Sequence, residues 1–140
     1  MTGANSRRKG AAFERDVAKL LFLETGIEFK RDLDQTREEA RGDLITECQD
    51  WPFLIECKNW AAAKTFRSEW AVQAHEAAEK AGKFPCVVYK ANRGEVRVRV
   101  WFDAIAATFG GHAITHQHAE VSLQGLAYLA REMMAEGVSK

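Results

Sequence analysis

Gly42-Asp43-Leu44-Ile45-Thr46-Glu47-Cys48, then Gln49-Asp50-Trp51-Pro52, then Phe53-Leu54-Ile55-Glu56-Cys57-Lys58: this stretch reads as two strands joined by a turn. Side chains alternate along a strand, so Glu56 and Lys58 share one face and Ile55 and Cys57 the other. Pairing Asp43 with Lys58 sets Ile45 opposite Glu56 and gathers Leu44, Thr46, Cys48, Phe53, Ile55 and Cys57 on a largely apolar face. Asp43, Glu56 and Lys58 then cluster at one end of the other face. A slip by one residue would spoil both faces at once. An acid and a lysine closing an apolar run are costly to bury without a purpose. Two carboxylates within reach of each other suit Mg²⁺, a hard ion with oxygen ligands, with Mn²⁺ as an alternative. Such an ion polarises a phosphate oxygen and activates a water. Lys58 is placed to stabilise growing negative charge or to orient that water, and the backbone carbonyl of Cys57 is available as a further ligand. The constellation points to phosphodiester cleavage.

The chain around this hairpin is organised as helix, strands, helix, strand, strand, helix. Phe13, Val17, Leu20 and Leu21 recur at helical spacing between about residues 10 and 25, and Gly26 is a plausible stop. Glu14 shares a stripe with Val17, Ala18 and Leu21, on the flank of the buried face. Ile27 to Leu33 suggests a short strand, and Gln35 to Arg41 a loop or helical turn. After a linker at residues 59–65, a helix is expected over residues 66–81, with Phe66, Trp70, Ala74, Ala77 and Ala81 as its stripe and Gln73 beside them. Strands follow over residues 85–91 and 95–102, around a turn at Asn92-Arg93-Gly94. A short helix is expected over residues 103–109 and an amphipathic one over residues 122–136. This is a single α/β layer fold, a mixed central sheet flanked by helices. Residues 1–8 read as a flexible basic arm and residues 9–140 as one domain.

Composition narrows the classes. The chain has 140 residues with 46% hydrophobic content, enough for a real core and against disorder. No apolar run approaches the length of a membrane span or a signal peptide, so no membrane partner is expected and the cytoplasm is the expected location. Cys48, Cys57 and Cys86 lie in apolar segments without CxxC spacing, which suggests buried free thiols rather than a metal cluster. Twenty basic and twenty acidic residues leave no net charge, so any nucleic-acid contact depends on distribution. Arg7, Arg8 and Lys9 form a basic arm suited to phosphates, whereas Arg93, Arg97 and Arg99 could equally protect an edge strand. His112, His116 and His118 lack a matching acid or cysteine motif and are read as loop or strand histidines. Trp101, Phe102, Ile105, Phe109, Leu123, Leu126, Leu129 and Met133 form a late apolar set, either core or a homodimer face.

Lys9-Gly10-x3-Glu14-Arg15, Gly42-Asp43-Leu44-Ile45, Leu54-Ile55-Glu56-Cys57-Lys58 and Gln73, in this order, resemble the PD-(D/E)xK nuclease superfamily. Within it they are most similar to archaeal and phage Holliday junction resolvases. The resemblance implies a restriction-endonuclease-like core. It implies Asp43 and Glu56 as central metal ligands, Glu14 as the helix-borne acid completing the site, Lys58 as catalytic lysine and Gln73 as the helix residue beside it. It adds Arg15 to the DNA-contacting residues Arg7, Arg8 and Lys9. The implied activity is Mg²⁺-dependent, structure-selective DNA cleavage by a homodimer acting on a four-way junction, with no small-molecule cofactor. The alternatives are another nuclease of the superfamily or a catalytically silent DNA-binding protein of the same fold. Gly42 departs from the proline that usually precedes the first acid.

Overall fold

A computed structural model describes residues 3–34, 41–59, 65–90, 94–112 and 116–140, with backbone alone for residues 3–7. Among the described residues these elements follow one another: α1 (Gly3–Thr25), β1 (Lys30–Arg31), β2 (Leu44–Ile45), β3 (Phe53–Lys58), α2 (Ser68–Ala81), β4 (Phe84–Lys90), β5 (Val96–Trp101), α3 (Phe102–Phe109), β6 (His118–Val121) and α4 (Leu123–Ala135). The six strands lie in the sheet in sequence order. β3 and β4 are parallel, with α2 as their crossover; every other pair is antiparallel. The sheet is therefore mixed and flanked by helices, as expected.

The two faces bury different chemistry. On one, Phe13, Val17 and Leu21 of α1 and Leu126, Ala130 and Met133 of α4 pack with Ile55, Cys86, Val88, Val98 and Val100. On the other, Trp70 and Ala74 of α2 pack on Val87, Tyr89 and Trp101. Alternation puts Glu56 and Lys58 on this second face, because their partners across the parallel pair are Val87 and Tyr89.

Local chemistry sets the helix ends. α2 stops at Gly82, whose φ of 66° is the left-handed conformation that glycine adopts without a Cβ penalty. α4 starts where the Ser122 hydroxyl accepts from the Gly125 amide at 3.0 Å. Pro85 lies at the second residue of β4, ahead of the Cys86–Val100 pair that opens the pairing with β5, where a missing N–H is tolerated.

Several expectations change. The basic arm is not a separate segment: α1 is already helical from Gly3. Alanine and arginine favour helix, and Gly10 weakens it by only about 1 kcal/mol relative to alanine without stopping it. The strands before the turn shrink to the two residues of β1 and the two of β2. The hairpin register is also shifted: Leu44 pairs with Ile55, which sets Asp43 beside Glu56 rather than opposite Lys58. The shift is of two residues, so both faces keep their side chains. In α2, Ala78 rather than Ala77 is fully buried. β6 forms from the histidine-rich segment and makes β5 an interior strand, which removes the edge-protection reading of its arginines. Leu123, Leu126, Leu129 and Met133 of the late apolar set belong to the protein's own core, while Phe109 is 58% exposed. The expected loop at residues 35–40, most of the linker (60–64), Arg93 and the centre of the histidine segment lie outside the described residues. The three cysteines are free, with Cys86 buried. Among the described residues no helix is long and apolar enough to cross a membrane.

Candidate active site

The site gathers where β3 leaves the core. Phe53, Leu54 and Ile55 are at most 2% exposed, and Glu56, the next residue, is the buried charged residue of the described chain, at 6%. Asp43 meets it through the backbone of β3. The Asp43 amide donates to the Ile55 carbonyl at 2.8 Å, and the Asp43 Oδ2 accepts from the Cys57 amide at 2.7 Å. Asp43 is thus pinned by both its main chain and its side chain. The Asp43 carbonyl in turn accepts from the Asp32 amide at 2.9 Å.

Gly42 explains the departure from the usual proline. Its φ is +76°, and a Cβ there would lie 2.6 Å from the Ile55 carbonyl oxygen, the acceptor of the Asp43 amide. Proline is locked near φ −65° and any side chain would collide with the strand. Glycine lets the chain come close enough for Asp43 to be gripped by β3.

Glu56 carries the electrostatic signature. Burial is the main cause that pushes its pKa up to about 8; the charge of Asp43 and a hydrogen bond shared with it add to the rise, Glu14 adds further, and Lys58 opposes. Two carboxylates held together out of water cannot both ionise cheaply. Lys58 donates from Nζ to the Gln73 Oε1 at 2.7 Å, so the first turns of α2 hold the lysine beside the acids. Gln73 thus lies next to Lys58, as the acceptor of its hydrogen bond.

Glu14 reaches the acids from the other side of the sheet. Its pKa is raised by burial first and by the charge of Asp43, while Arg31 lowers it. The Arg31 Nε donates to the Glu14 Oε2 at 2.7 Å. Arg31 pairs in register with Leu44 and therefore sits on the α1 face, whereas Glu56 points to the α2 face. Sequence reading missed Arg31. Its only signal was a cation in the short strand before the first acid. It also missed the brace from Arg41 to Asp32, at 3.0 and 3.3 Å, which ties down the segment leading into Asp43.

Among the described residues no three acids, histidines or cysteines converge closely enough to hold a metal ion by themselves. The remaining expected residues divide. Arg8, Lys9 and Arg15 are exposed along α1, and the side chain of Arg7 lies outside the described residues. The Cys57 amide serves Asp43. Arg97 pairs with Glu95 at 3.0 Å; Arg99 pairs with Glu120 at 2.6 Å and stacks over Phe66 at 3.7 Å, which makes it part of the packing. His112, His116 and His118 are exposed.

The fold and this strand-end arrangement define the restriction-endonuclease-like α/β class. The sequence profile of the family described as "Phage putative PDDEXK endonuclease" matches residues 5–133, and the chain belongs to that family. In fold it is similar to the structure described as Hjc, a Holliday junction resolvase from the archaeal hyperthermophile Archaeoglobus fulgidus. That match has a TM-score of 0.50 and 17% identity, and covers 91% of this chain and 99% of the other. A search of curated proteins finds no match. The chain is a nuclease of this fold.

Proposed function

We propose that this nuclease is a divalent-metal-dependent, structure-selective DNA endonuclease that resolves four-way junctions as a homodimer. The observation that carries the chemistry is the buried Glu56 carboxyl held against Asp43, with Lys58 fixed beside them by Gln73. The donor set fits Mg²⁺ or Mn²⁺: it is all oxygen, and Mg²⁺ uses one or two carboxylates and completes its shell with water and substrate phosphate rather than a full protein cage. Asp43 and Glu56 would hold the ion, with the Cys57 carbonyl as a further ligand; Glu14, expected to complete the set, is instead paired with Arg31. When bound, the ion supplies Lewis-acid stabilisation of charge on the phosphate.

The chain's own residues do the rest. Asp43 is kept in place by the Cys57 amide, so its carboxylate needs no reorganisation when substrate arrives. Lys58, oriented by Gln73, stands to orient the attacking water and to stabilise charge on the phosphate as the bond to the leaving oxygen breaks. Arg31 holds Glu14 at the margin of the site. The exposed Arg8, Lys9 and Arg15 on α1 suit phosphate contacts that are independent of sequence. Two copies related by C2 symmetry would match the two-fold symmetry of a four-way junction. The similarity to a Holliday junction resolvase in fold favours this substrate over others.

The test is cleavage with Mg²⁺ of a four-way junction, a flap, a linear duplex and a single strand, side by side. Paired symmetric nicks confined to the junction are expected. Equal cutting of linear duplex would replace the junction reading with a general endonuclease. No cutting of any substrate, with metal and DNA binding untouched by Asp43→Asn, would remove the catalytic claim.

A further inference from the structure

A second feature shares a wall with the site. Between α1 and β1 lies a cleft of about 660 Å³, with Arg31, the partner of Glu14, among its lining residues. Its apolar surface comes from Phe22, Phe29 and Leu33. Phe29 is its buried floor, but Phe22 is 45% exposed and Leu33 72%. Arg15, Lys19 and Lys30 stand around them, with Glu28 as the one acid of the lining. On α1 the contributors Arg15, Ala18, Lys19 and Phe22 fall at offsets 0, 3, 4 and 7, a single helix stripe. The stripe is separate from the Phe13, Val17 and Leu21 stripe that enters the core. The protein therefore presents an aromatic ring to solvent inside a ring of cations, at the edge of its nuclease site.

That combination matches one chemistry. A polyanion satisfies the cations, and a flat apolar face satisfies Phe22. Intact duplex offers phosphates, but its bases are stacked on one another. DNA at a branch point offers phosphates together with bases whose stacking is interrupted. We propose that this cleft receives an unstacked nucleobase next to the branch point of the DNA substrate, with Phe22 as the stacking platform and Arg15 and Lys19 on the flanking phosphates. Selectivity for branched DNA then arises beside the catalytic residues rather than within them. The inference rests on the nuclease reading for its substrate, but binding tests it separately from cleavage.

The experiment compares wild type, Phe22→Ala, Phe22→Trp and Lys19→Ala in binding to a four-way junction carrying 2-aminopurine at the branch, and to a linear duplex of the same length. Phe22→Ala is expected to weaken junction binding about tenfold and to abolish the 2-aminopurine fluorescence change, while duplex affinity stays within about twofold. Phe22→Trp is expected to restore both readouts. Lys19→Ala should weaken both DNAs and lower the salt slope by about one. Equal effects of Phe22→Ala on junction and duplex, or none on either, would overturn the proposal. So would conversion of a dimer to a monomer by Phe22→Ala in light scattering, which would make the cleft a contact between copies. Cutting by wild type together with unchanged junction binding by Phe22→Ala removes the cleft alone. Neither cutting nor binding by wild type removes the nuclease reading with it.

Discussion

The two faces of the sheet are built to different ends. The α1 and α4 face is the larger, continuous and closed, with Val17, Leu126 and Met133 wholly out of solvent. The α2 face is smaller and aromatic, and it ends in Glu56, Lys58 and Gln73. One face holds the fold and the other spends part of its area on groups that oppose folding. β3 changes character from apolar Ile55 to buried Glu56 in a single step. Stability and chemistry are therefore separable by substitution, face by face.

The largest separation is expected from Asp43→Asn. Cleavage should fall by about a thousandfold or more, corresponding to several kcal/mol of lost transition-state stabilisation, while the thermal unfolding midpoint holds or rises. A midpoint lowered by many degrees would break the division between the faces. Leu126→Ala is the opposite probe, in the closed face. It should lower stability by about 3–4 kcal/mol in denaturant unfolding, while the folded fraction cuts at the wild-type rate.

Glu56→Gln should invert the usual direction. The Glu56 carboxyl has a native pKa raised from 4.5 to about 8, so the native state binds the extra proton between those values. Stability from this group is intact below pH 4.5 and is lost as pH rises through about 8. Urea unfolding without divalent cations should find Glu56→Gln more stable than wild type by about 2–3 kcal/mol at pH 8.5, allowing for relaxation of the site, and little different at pH 4.5. A difference that does not vary with pH would mean that Glu56 is not strained by its neighbours. The smallest effect is expected at the hinge between structure and chemistry. Gly42→Ala forces a side chain onto the Ile55 carbonyl in a left-handed conformation and should cost about 2 kcal/mol, with a loss of activity larger than the loss of folded protein. Activity that merely follows the folded fraction would show that Asp43 does not depend on this close approach.

Most of this was readable where one period ran long enough. The Phe53 to Lys58 alternation gave β3 to the residue, and the apolar repeat over residues 122–136 gave α4 to within one residue at each end. The faces of the hairpin were readable because parity survives a shift of two; the register itself was not, since it depends on Gly42 bringing the chain against Ile55. That Asp43, Glu56, Lys58 and Gln73 lie close together was expected from pattern and resemblance. Arg31 was not, because β1 has two residues and carries no periodicity, and its meaning comes from Glu14, seventeen positions away on another element. The helical start of α1 was hidden by its charge: a basic run reads as a tail unless something shows what the helix continues into.

Strands that lie in the sheet in the order of the sequence have a consequence for how the chain is made. Each new strand can pair with the one emitted just before it, so the sheet can grow during synthesis with short loop closures, which are entropically cheap. The helix that completes its larger face, α4, comes last among the described elements, and it also packs against the first, with the Arg131 Nη1 donating to the Glu24 carbonyl across 107 positions at 2.5 Å. Until α4 leaves the ribosome, the face formed by Val88, Val98 and Val100 lacks the cover of Leu126, Ala130 and Met133. The nascent protein therefore has a nearly finished catalytic edge before it has a finished core, and that interval is when it is most exposed to aggregation and to chaperones.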